Sequence, residues 1–501
     1  MKLISTLKKI VFSRISVCAI GIILQLLYLI TIFWTLGTMF TYSLFAFMLL
    51  GAALSLYIIN SEISYAYKLI WVFTVLSFPI FGGMLYFFYG ARNKTSSLHR
   101  RFKLYRDNDV YNILSEYSKS CAKQSSYIDR CGFPTYQNTS AVYYKNGEEL
   151  FQPLLHELEK AQHYIFIEFF ILEKGVMWDS ILNILRRKAD DGIDVRIIYD
   201  DLGCLLTLPR NYKKTLEGIG ISCRVFGRLR PLWSPKLNNR DHRKIIVIDG
   251  KTAVTGGINL ADEYINVRLK HGYWKDSAVI LRGSAVRSFT VMFLELWEGL
   301  GGKSAISEDL LCPETHEEND GFIAPFFDSP QDKEQVSENI CINMLNAAND
   351  YIYITTPYLI PDGAVKEALV LASKNGVDVR IITPHIPDKV LVHATTRANY
   401  RELIKHGIRI YEFLPGFIHA KNVVSDDITA IVGTVNLDFR SLYLHYECGV
   451  WLCNSGAVNA VKRDFLDTLS KCKEITIADT YEKNIFKKIG MAVLKLFSPL
   501  M

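Results

Sequence analysis

The sequence predicts an α/β domain made of two related halves, preceded by helices that cross a membrane. Three observations lead to this prediction: one motif occurs twice, a strand–helix–strand pattern precedes each copy, and residues 15–91 carry almost no charge. A chain of 501 residues has room for several domains. We expect five segments: a membrane anchor over 1–91, a basic linker over 92–135, a first half over 136–325, a second half over 326–480 and an amphipathic helix over 481–501.

The amino-terminal segment contains three apolar stretches, Ile15–Leu36, Tyr42–Ile59 and Leu69–Tyr89. A helix needs about 20 apolar residues to cross a bilayer, so the second stretch lies near the lower limit. Pro79 interrupts the third stretch. No small-residue cleavage site follows the first stretch, and further apolar stretches come after it, which argues against a signal peptide. We therefore expect two or three transmembrane helices in a multi-pass protein.

The basic residues indicate the orientation of this anchor. Lys and Arg cluster before the first stretch and again over 92–106, and such clusters favour the cytoplasmic side. Three full crossings would separate the two clusters, so either one stretch is re-entrant or the amino terminus lies outside. The ten cysteines are dispersed without a C-x-x-C pair, which is typical of free thiols in a reducing compartment. We expect the later domain to be cytoplasmic.

The two halves share a strand–helix–strand pattern. In the first, a strand over 164–168 is followed by a helix through Leu185, a break at Gly192 and a strand over 195–198. The second half repeats this order with a strand over 351–354, a helix over 364–372, a break at Gly376 and a strand over 379–382. Such βαβ units predict parallel strand pairing. The net charge of only +6 gives no support for nucleic-acid binding.

The duplicated motif reads H-x-K-x4-D-x6-G-x-x-N, and the histidine and asparagine are 17 positions apart in both copies. Chance does not preserve every gap, so both copies are candidate half-sites. Residues two apart in a strand point to one side, so each histidine and its lysine can converge on one anion. The next strand returns the asparagine towards them. The residues are His242, Lys244, Asp249 and Asn259 in the first copy, and His419, Lys421, Asp426 and Asn436 in the second.

This set of side chains suits a phosphodiester. The lysines and asparagines can bind the phosphate, while one imidazole attacks phosphorus and the other protonates the leaving alcohol. An incoming hydroxyl then cleaves the phosphohistidine. Asp249 and Asp426 stand at strand ends, where an aspartate more often caps a turn, so we give them a supporting role. The sequence predicts no metal site and no cofactor.

Each histidine also needs a carboxylate that fixes its tautomer. Asp276 and Glu447 are the candidates, because each precedes an apolar strand in its own half. The pattern alone does not decide which carboxylate serves which histidine. It also treats the two histidines alike, so it does not say which of them attacks phosphorus.

At these residues the sequence resembles the phospholipase D superfamily, whose signature is the doubled H-x-K motif. Several flanking strings are similar to bacterial cardiolipin synthases, although Cys204 stands where that branch usually has Ser, and two amino-terminal spans are common there. The similar strings are Asn238-Asn239-Arg240-Asp241, Gly256-Gly257-Ile258-Asn259-Leu260, Thr356-Pro357-Tyr358-Leu359-Ile360-Pro361-Asp362, Pro415-Gly416-Phe417-Ile418, Gly433-Thr434-Val435-Asn436-Leu437-Asp438-Phe439-Arg440-Ser441 and Ser498-Pro499-Leu500.

The resemblance implies a phospholipase D-like bilobal domain with its site between the halves, in a bacterial cell membrane. It implies that two phosphatidylglycerol molecules give cardiolipin and glycerol, so the partners are phosphatidylglycerol and membrane lipid. It also implies that His242 is the nucleophile and His419 the acid/base. The carboxylates are crossed in this family, so that Glu447 supports His242 and Asp276 supports His419.

Four other functions are alternatives at this point. A membrane-bound phospholipase D would hydrolyse the lipid, and a related transferase would use another donor or acceptor. An inactive scaffold is disfavoured because both motifs are whole, and a nuclease is disfavoured by the predicted spans.

The final segment, Ile485–Leu496, has apolar residues at helical spacing with lysines between them. Such a helix can lie on a membrane or dock onto the domain.

Overall fold

The computed structural model describes residues 23–27, 30, 38–61, 65–90, 113–114, 118–228, 239–303, 307–311, 313, 317–332, 334–482 and 484–498. The chain divides into two compact units. The smaller comprises Met1–Thr95, Arg228–Asn238 and Leu496–Met501, and the larger comprises Ser96–Gly227 and Asn239–Lys495.

The smaller unit is helical where it is described. Its helices are α1 (Thr38–Ile59), α2 (Tyr65–Ser77) and α3 (Pro79–Leu85), followed by a π-helical turn over Tyr86–Gly90. Pro79 divides the third predicted stretch into two helices, because proline suits the first position of a helix but not its interior. The first predicted stretch, Ile15–Leu36, lies mostly outside the described residues.

None of the helices in the described ranges is both long enough and apolar enough to qualify as a membrane span.

In the described residues of the first half of the larger unit there are nine strands and six helices. Its strands are β1 (Thr139–Tyr144), β2 (Tyr164–Phe169), β3 (Asp194–Asp200), β4 (Ser222–Phe226), β5 (Arg240–Asp241), β6 (Lys244–Ile248), β7 (Thr252–Gly256), β8 (Tyr273–Lys275) and β9 (Ala278–Gly283). Its helices are α4 (Lys119–Arg130), α5 (Gly147–Glu159), α6 (Val176–Asp190), α7 (Tyr212–Glu217), α8 (Val286–Gly299) and α9 (Glu308–Leu311).

The second half repeats most of these elements. Its strands are β10 (Phe322–Asp328), β11 (Tyr351–Thr355), β12 (Leu359–Ile360), β13 (Asp378–Pro384), β14 (Arg409–Phe413), β15 (Gly416–Ile418), β16 (Asn422–Ser425), β17 (Thr429–Gly433), β18 (Leu437–Asp438), β19 (His445–Cys453) and β20 (Cys472–Ile475). Its helices are α10 (Val336–Ala347), α11 (Gly363–Lys374), α12 (Val390–Lys405), α13 (Phe439–Tyr443) and α14 (Gly456–Leu469), followed by a 3₁₀ turn over Ala478–Thr480 and by α15 (Ile485–Phe497).

The two large sheets have the same strand order, which confirms the predicted duplication. The first runs β1-β9-β7-β6-β2-β3-β4, and the second runs β10-β19-β17-β16-β11-β13-β14 with β20 added at its edge. The predicted parallel pairs are present as β2 with β3 and β11 with β13. The strands after each H-x-K pair antiparallel, however, so both sheets are mixed. The three residues between β6 and β7 form a turn that is too short to join parallel strands.

Helix ends follow local sequence signals. Asn146 and Asp362 accept hydrogen bonds from the backbone N–H groups of Glu149 (2.8 Å) and Val365 (2.9 Å), which caps α5 and α11. Gly192 has a φ of +83° just after α6, a backbone conformation that glycine adopts without strain. The break predicted at this glycine is therefore confirmed.

A shared core joins the two halves. Helices α8 and α14 contribute to one apolar cluster that contains strand residues of both sheets, such as Val247, Ile382 and Val432. Two further cores lie on the outer faces, one under α5 and α6 and one under α10, α11 and α12. Both sheets therefore contribute to one core within the larger compact unit.

Two predicted boundaries differ from the structure. The interval 92–135 was expected to be a linker, but α4 lies within it, and Cys121 and Ile128 are buried in the core of the second half. Gln124 accepts a hydrogen bond from the indole Nε1 of Trp451 at 2.9 Å. The boundary expected at 325–326 falls inside β10, which pairs along its full length with β19.

Two short strands cross from one half to the other. The strand β5, directly before His242, pairs in parallel with the start of β19, with Tyr446 opposite Asp241. The strand β15, directly before His419, pairs in parallel with β8, with Lys275 opposite Ile418. Continuing each register by one residue brings His242 opposite Glu447 and His419 opposite Asp276. These exchanges position the functional site.

The aspartate of each motif forms a turn. Asp249 and Asp426 have φ values of +52° and +53°. The carboxylate of Asp249 accepts hydrogen bonds from the backbone N–H groups of residues 162–164 at 2.7–2.8 Å. That of Asp426 does the same for residues 349–351 at 2.8–3.1 Å. Each aspartate thus links the start of a central strand, β2 or β11, to the hairpin in which the aspartate itself lies, β6–β7 or β16–β17.

We expect Asp249→Ala to destabilise the fold by about 2–4 kcal/mol, because three backbone donors lose their acceptor. Alanine also disfavours a positive φ, whereas asparagine tolerates it and retains one acceptor oxygen. Thermal unfolding should therefore rank the wild type above Asp249→Asn, and Asp249→Asn above Asp249→Ala. Equal unfolding midpoints for all three proteins would contradict the structural role.

Candidate active site

The centre of the site consists of two histidine–carboxylate pairs, each formed across the halves. Nδ1 of His242 lies 2.9 and 3.0 Å from the two carboxylate oxygens of Glu447. Nδ1 of His419 lies 2.7 Å from Oδ2 of Asp276. A carboxylate at Nδ1 holds the proton there and leaves the lone pair on Nε2, which is the tautomer needed for attack or for base catalysis. The geometry places the carboxylates in the crossed arrangement.

Each motif lysine folds back over its own histidine. Lys244 Nζ donates to the carbonyl oxygen of His242 at 2.7 Å, and Lys421 Nζ donates to the carbonyl oxygen of His419. Both side chains are buried. An ammonium group has three donors, so each lysine keeps donors for an anion bound between the histidines.

The asparagines occupy equivalent positions with different partners. Asn259 Nδ2 donates to the hydroxyl of Tyr264 at 2.7 Å, and its Oδ1 accepts from the backbone N of Ile171 at 3.1 Å. Asn436 donates to Ser441 Oγ from both its backbone N (3.2 Å) and its Nδ2 (3.1 Å). Tyr264 and Ser441 each stand five residues after their asparagine, so they correspond to one another.

The two carboxylates differ in their surroundings. Glu447 accepts hydrogen bonds from the hydroxyls of Ser441 (2.6 Å) and Thr434 in addition to His242. Asp276 accepts a backbone hydrogen bond from Ser277 at 2.8 Å. The position equivalent to Thr434 is Gly257, where even a Cβ atom would collide with Asp276. The first motif therefore needs glycine where the second motif uses a hydroxyl donor.

Aromatic rings surround the histidines unequally. His419 lies among Trp274, Tyr264 and Phe417, with ring centroids 5.5–5.8 Å from its own. His242 contacts Phe170 at 5.2 Å and a third histidine, His445, at 5.6 Å. Apolar walls exclude water, which strengthens the electrostatic interactions inside the site.

Burial and charge set the protonation of this site. Burial, opposed by Glu447, lowers the pKa of His242 to about 3. Burial and the nearby Lys421 lower that of His419 to about 4, so both imidazoles are neutral at pH 7. Burial lowers the pKa of Lys244 to about 8. Burial and repulsion from Lys244 lower that of Lys421 to about 7.

His445 was not singled out by the sequence. It lies two residues before Glu447 on β19, so both side chains face the same side of the strand. Its Nδ1 is 3.6 Å from Glu447 Oε1. Together His242, His445 and Glu447 offer ligand atoms within 4.8 Å of one another, which is a spacing suited to a metal ion. A signal was present in the sequence, since a histidine directly precedes the Tyr-Glu-Cys string.

The structure gathers eight of the ten candidate residues and leaves two outside. The two motif histidines, lysines and asparagines and the two carboxylates line one site. Asp249 and Asp426 lie at the other end of β6 and β16 from the lysines. At about 3.4 Å per residue, a five-residue strand separates Lys244 from Asp249 by roughly 17 Å. Thr434, Ser441 and Tyr264 are further site residues that the pattern did not reveal.

Two histidines with orienting carboxylates and buried lysines, supplied by a duplicated H-x-K motif, define the phospholipase D class of phosphodiester-processing proteins. A family model described as cardiolipin synthase, PLD-like domain, matches residues 154–297 and 341–469. The chain belongs to this family. A second model, described as phospholipase D-nuclease N-terminal, matches residues 49–90.

Individual relatives agree with this assignment. A cardiolipin synthase of Geobacillus kaustophilus (strain HTA426) is 32% identical over 451 residues, which cover 87% of this chain and 89% of the relative. An uncharacterised protein of Streptococcus mutans is 42% identical over 457 residues, covering 89% of this chain and 99% of the relative. The crystal structure of a phosphatidylserine synthase from Haemophilus influenzae Rd KW20 shares the fold, with a TM-score of 0.56 at 14% identity over 75% of this chain and 98% of that chain.

We expect Glu447→Gln and Asp276→Asn each to lower kcat by about 10³–10⁴-fold, because an amide no longer fixes the histidine tautomer. Unfolding measurements should show that both variants remain folded. Glu412→Gln is a matched control, since Glu412 pairs with Nδ1 of His385 at 2.8 Å elsewhere in the same half. A loss of activity in the control as large as in the site variants would contradict a specific role of the crossed carboxylates.

We also expect kcat/KM to fall as the pH rises through about 7–8. The pKa of Lys421 is lowered to about 7 and that of Lys244 to about 8, so both are cationic below these values and neutral above them. Loss of positive charge weakens binding of an anionic phosphodiester. Initial rates from pH 6 to 9 at constant ionic strength would measure this. Lys421→Arg, which stays charged, should move the alkaline limb upward, and a flat wild-type profile would contradict the assignment.

Proposed function

We propose that the chain is a cardiolipin synthase that transfers a phosphatidyl group between two phosphatidylglycerol molecules and releases glycerol. The observation that carries this proposal is the pair of crossed histidine–carboxylate contacts, His242 with Glu447 and His419 with Asp276. The family of the chain supports the lipid substrates and the transfer reaction. The following steps through a phosphohistidine belong to the same proposal.

In the first step Nε2 of His242 attacks phosphorus. The P–O bond to the glycerol head group breaks, and a protonated His419 gives its proton to the departing oxygen. Burial disfavours that proton in the free enzyme, but the adjacent phosphodiester anion favours it once substrate is bound. Glu447 balances the positive charge that the phosphorylated His242 ring acquires. The order of the two histidines follows the resemblance described above, since the geometry treats them similarly.

In the second step the neutral His419 removes a proton from a hydroxyl of the second phosphatidylglycerol. That oxygen forms a bond to phosphorus while the P–N bond to His242 breaks, which returns both histidines to their starting states. Lys244 and Lys421, with Asn259 and Asn436, neutralise the charge on the non-bridging oxygens in both steps.

For the localisation we propose a multi-pass protein of the bacterial cell membrane with a cytoplasmic catalytic domain. The family match over residues 49–90 supports membrane association. The eight cysteines of the described residues form no disulfide, in keeping with a reducing compartment. A reporter that is active only in the cytosol, fused to the carboxyl terminus, should give a signal.

The activity can be tested with the purified full-length protein and labelled phosphatidylglycerol, without a nucleotide-activated donor. We expect equimolar cardiolipin and glycerol. Phosphatidic acid as the sole labelled product would show hydrolysis instead, and a product formed only with another head-group alcohol would show a transferase with a different acceptor. No conversion at all would leave an inactive scaffold as the function.

We expect His242→Ala and His419→Ala each to lose turnover by several orders of magnitude, roughly 10³-fold or more. Trapping of labelled phosphate on His242 in the His419→Ala variant would establish the order of the two histidines. His385→Ala, a histidine paired with Glu412, serves as the control and should retain activity. Near-normal turnover in either motif variant would contradict the two-histidine mechanism.

A further inference from the structure

We propose that His242, His445 and Glu447 form a binding site for a divalent transition-metal ion such as Zn²⁺, and that the bound metal blocks the transfer reaction. The binding itself does not depend on the proposed function. The inhibition that follows from it rests on that function, because it is read from the transfer activity.

The spacing of the three side chains fits a metal ion. Glu447 Oε1 lies 3.0 Å from Nδ1 of His242 and 3.6 Å from Nδ1 of His445. Zinc bonds of about 2.0–2.1 Å in tetrahedral geometry place neighbouring ligand atoms about 3.3–3.4 Å apart. The two distances bracket this value, so small side-chain rotations bring the three atoms into one coordination sphere.

His445 is mostly buried and, among the described residues, lacks the hydrogen-bond partners that a buried imidazole normally has. Its side chain is 10% exposed. Within the described part of the chain neither of its ring nitrogens has a hydrogen-bond partner. A buried polar group without a partner is costly, and a bound ion is one way in which proteins satisfy it. A metal ion bound to both Nδ1 of His445 and Oε1 of Glu447 would replace their 3.6 Å contact by two coordination bonds.

The other side of the site cannot bind a metal in this way. The residue two positions before Asp276 is Trp274, whose indole packs against His419 with centroids 5.5 Å apart. An indole offers a donor and no lone pair for a metal. The duplicated site therefore holds a nitrogen–nitrogen–oxygen ligand set on the His242 side alone, as far as the described residues extend.

The chemistry of the ligands selects the metal. Two neutral imidazoles and one carboxylate suit Zn²⁺ and its neighbours, whereas Mg²⁺ and Ca²⁺ prefer oxygen ligands. Glu447 supplies one negative charge, and Asp438 acts on His445 from nearby. The positive charge of Lys244, which acts on His242, disfavours a cation at this place.

Metal binding at Nδ1 has a direct consequence for His242. A neutral imidazole carries one proton, and a metal on Nδ1 requires that proton to move to Nε2. The nitrogen that attacks phosphorus then has no lone pair, and no proton is released in the change. The metal thus replaces the contact with Glu447 that makes His242 reactive, and the enzyme is held inactive until the metal leaves.

The test uses the full-length enzyme in phosphatidylglycerol vesicles, with Zn²⁺ added and Mg²⁺ as the comparison ion. We expect Zn²⁺ to inhibit transfer, Mg²⁺ to have no such effect and a chelator to restore the activity. His445→Phe keeps an aromatic ring beside His242 but has no nitrogen. Loss of a ligand should weaken the inhibition by at least about 10- to 100-fold relative to each protein's own zinc-free rate. His445→Gln provides a second variant if the first does not fold.

His385→Phe is the matched control, because His385 also has a carboxylate 2.8 Å from its Nδ1 but lies in a different place. Its zinc sensitivity should equal that of the wild type. Two results would overturn the proposal: a wild type that Zn²⁺ does not inhibit, or equal sensitivity of the wild type and His445→Phe.

Zinc stoichiometry, measured by competition with a chromophoric chelator, does not require activity. We expect one Zn²⁺ fewer per chain in His445→Phe, and a zinc-dependent rise in unfolding temperature that this variant lacks. A protein that makes no cardiolipin but shows this difference would refute the proposed function and keep the metal site. Cardiolipin synthesis together with identical zinc stoichiometry in both proteins would refute the metal site and keep the proposed function.

Discussion

The reciprocal contact between each histidine and the carboxylate of the opposite half is the constraint on which the rest of the site depends. Glu447 and Asp276 are both fully buried, and a buried carboxylate is stable only with charged or hydrogen-bonding partners. Although burial acts to raise them, the pKa values of both carboxyls are held below the usual range by the histidines that they face. Strand pairs β5 with β19 and β15 with β8 provide that register. Neither half alone contains both members of the His242–Glu447 pair or of the His419–Asp276 pair.

The two half-sites have equivalent residues, but the hydrogen bonds of their carboxylates differ. The longer side chain of Glu447 reaches His242 and has room for two hydroxyl donors, Thr434 and Ser441. The shorter Asp276 lies against Gly257 and takes its second hydrogen bond from the backbone. A hydroxyl-bearing residue at 257 or a shorter carboxylate at 447 would break the match. The proposed reaction gives the two histidines different roles, and the surroundings of the two histidines differ as well.

Much of this could be predicted from the sequence, because local periodicity and fixed spacing carry it. The βαβ units, the helix breaks at Gly192 and Gly376 and the motif residues at strand starts are local features. The strand exchange between halves is not local, since it joins positions more than 140 residues apart. Residues 92–135 were predicted to be a basic linker, yet Cys121 and Ile128 of the helix α4 within this interval are buried in the core of the second half. His445 was missed because its signal, a place directly before Tyr446 and Glu447, has meaning only once Glu447 is known to contact His242.

The crossed contacts also link the proposed activity to complete folding of the catalytic domain. His242 contacts a carboxylate 205 positions further along the chain, and His419 contacts one 143 positions before it. Bringing together positions so far apart in the chain costs more entropy than a local contact does, so both pairs depend on the folding of both halves. A chain with only one half folded lacks both crossed carboxylate contacts. In the proposed mechanism, the site therefore becomes competent for transfer only when the whole catalytic domain has folded.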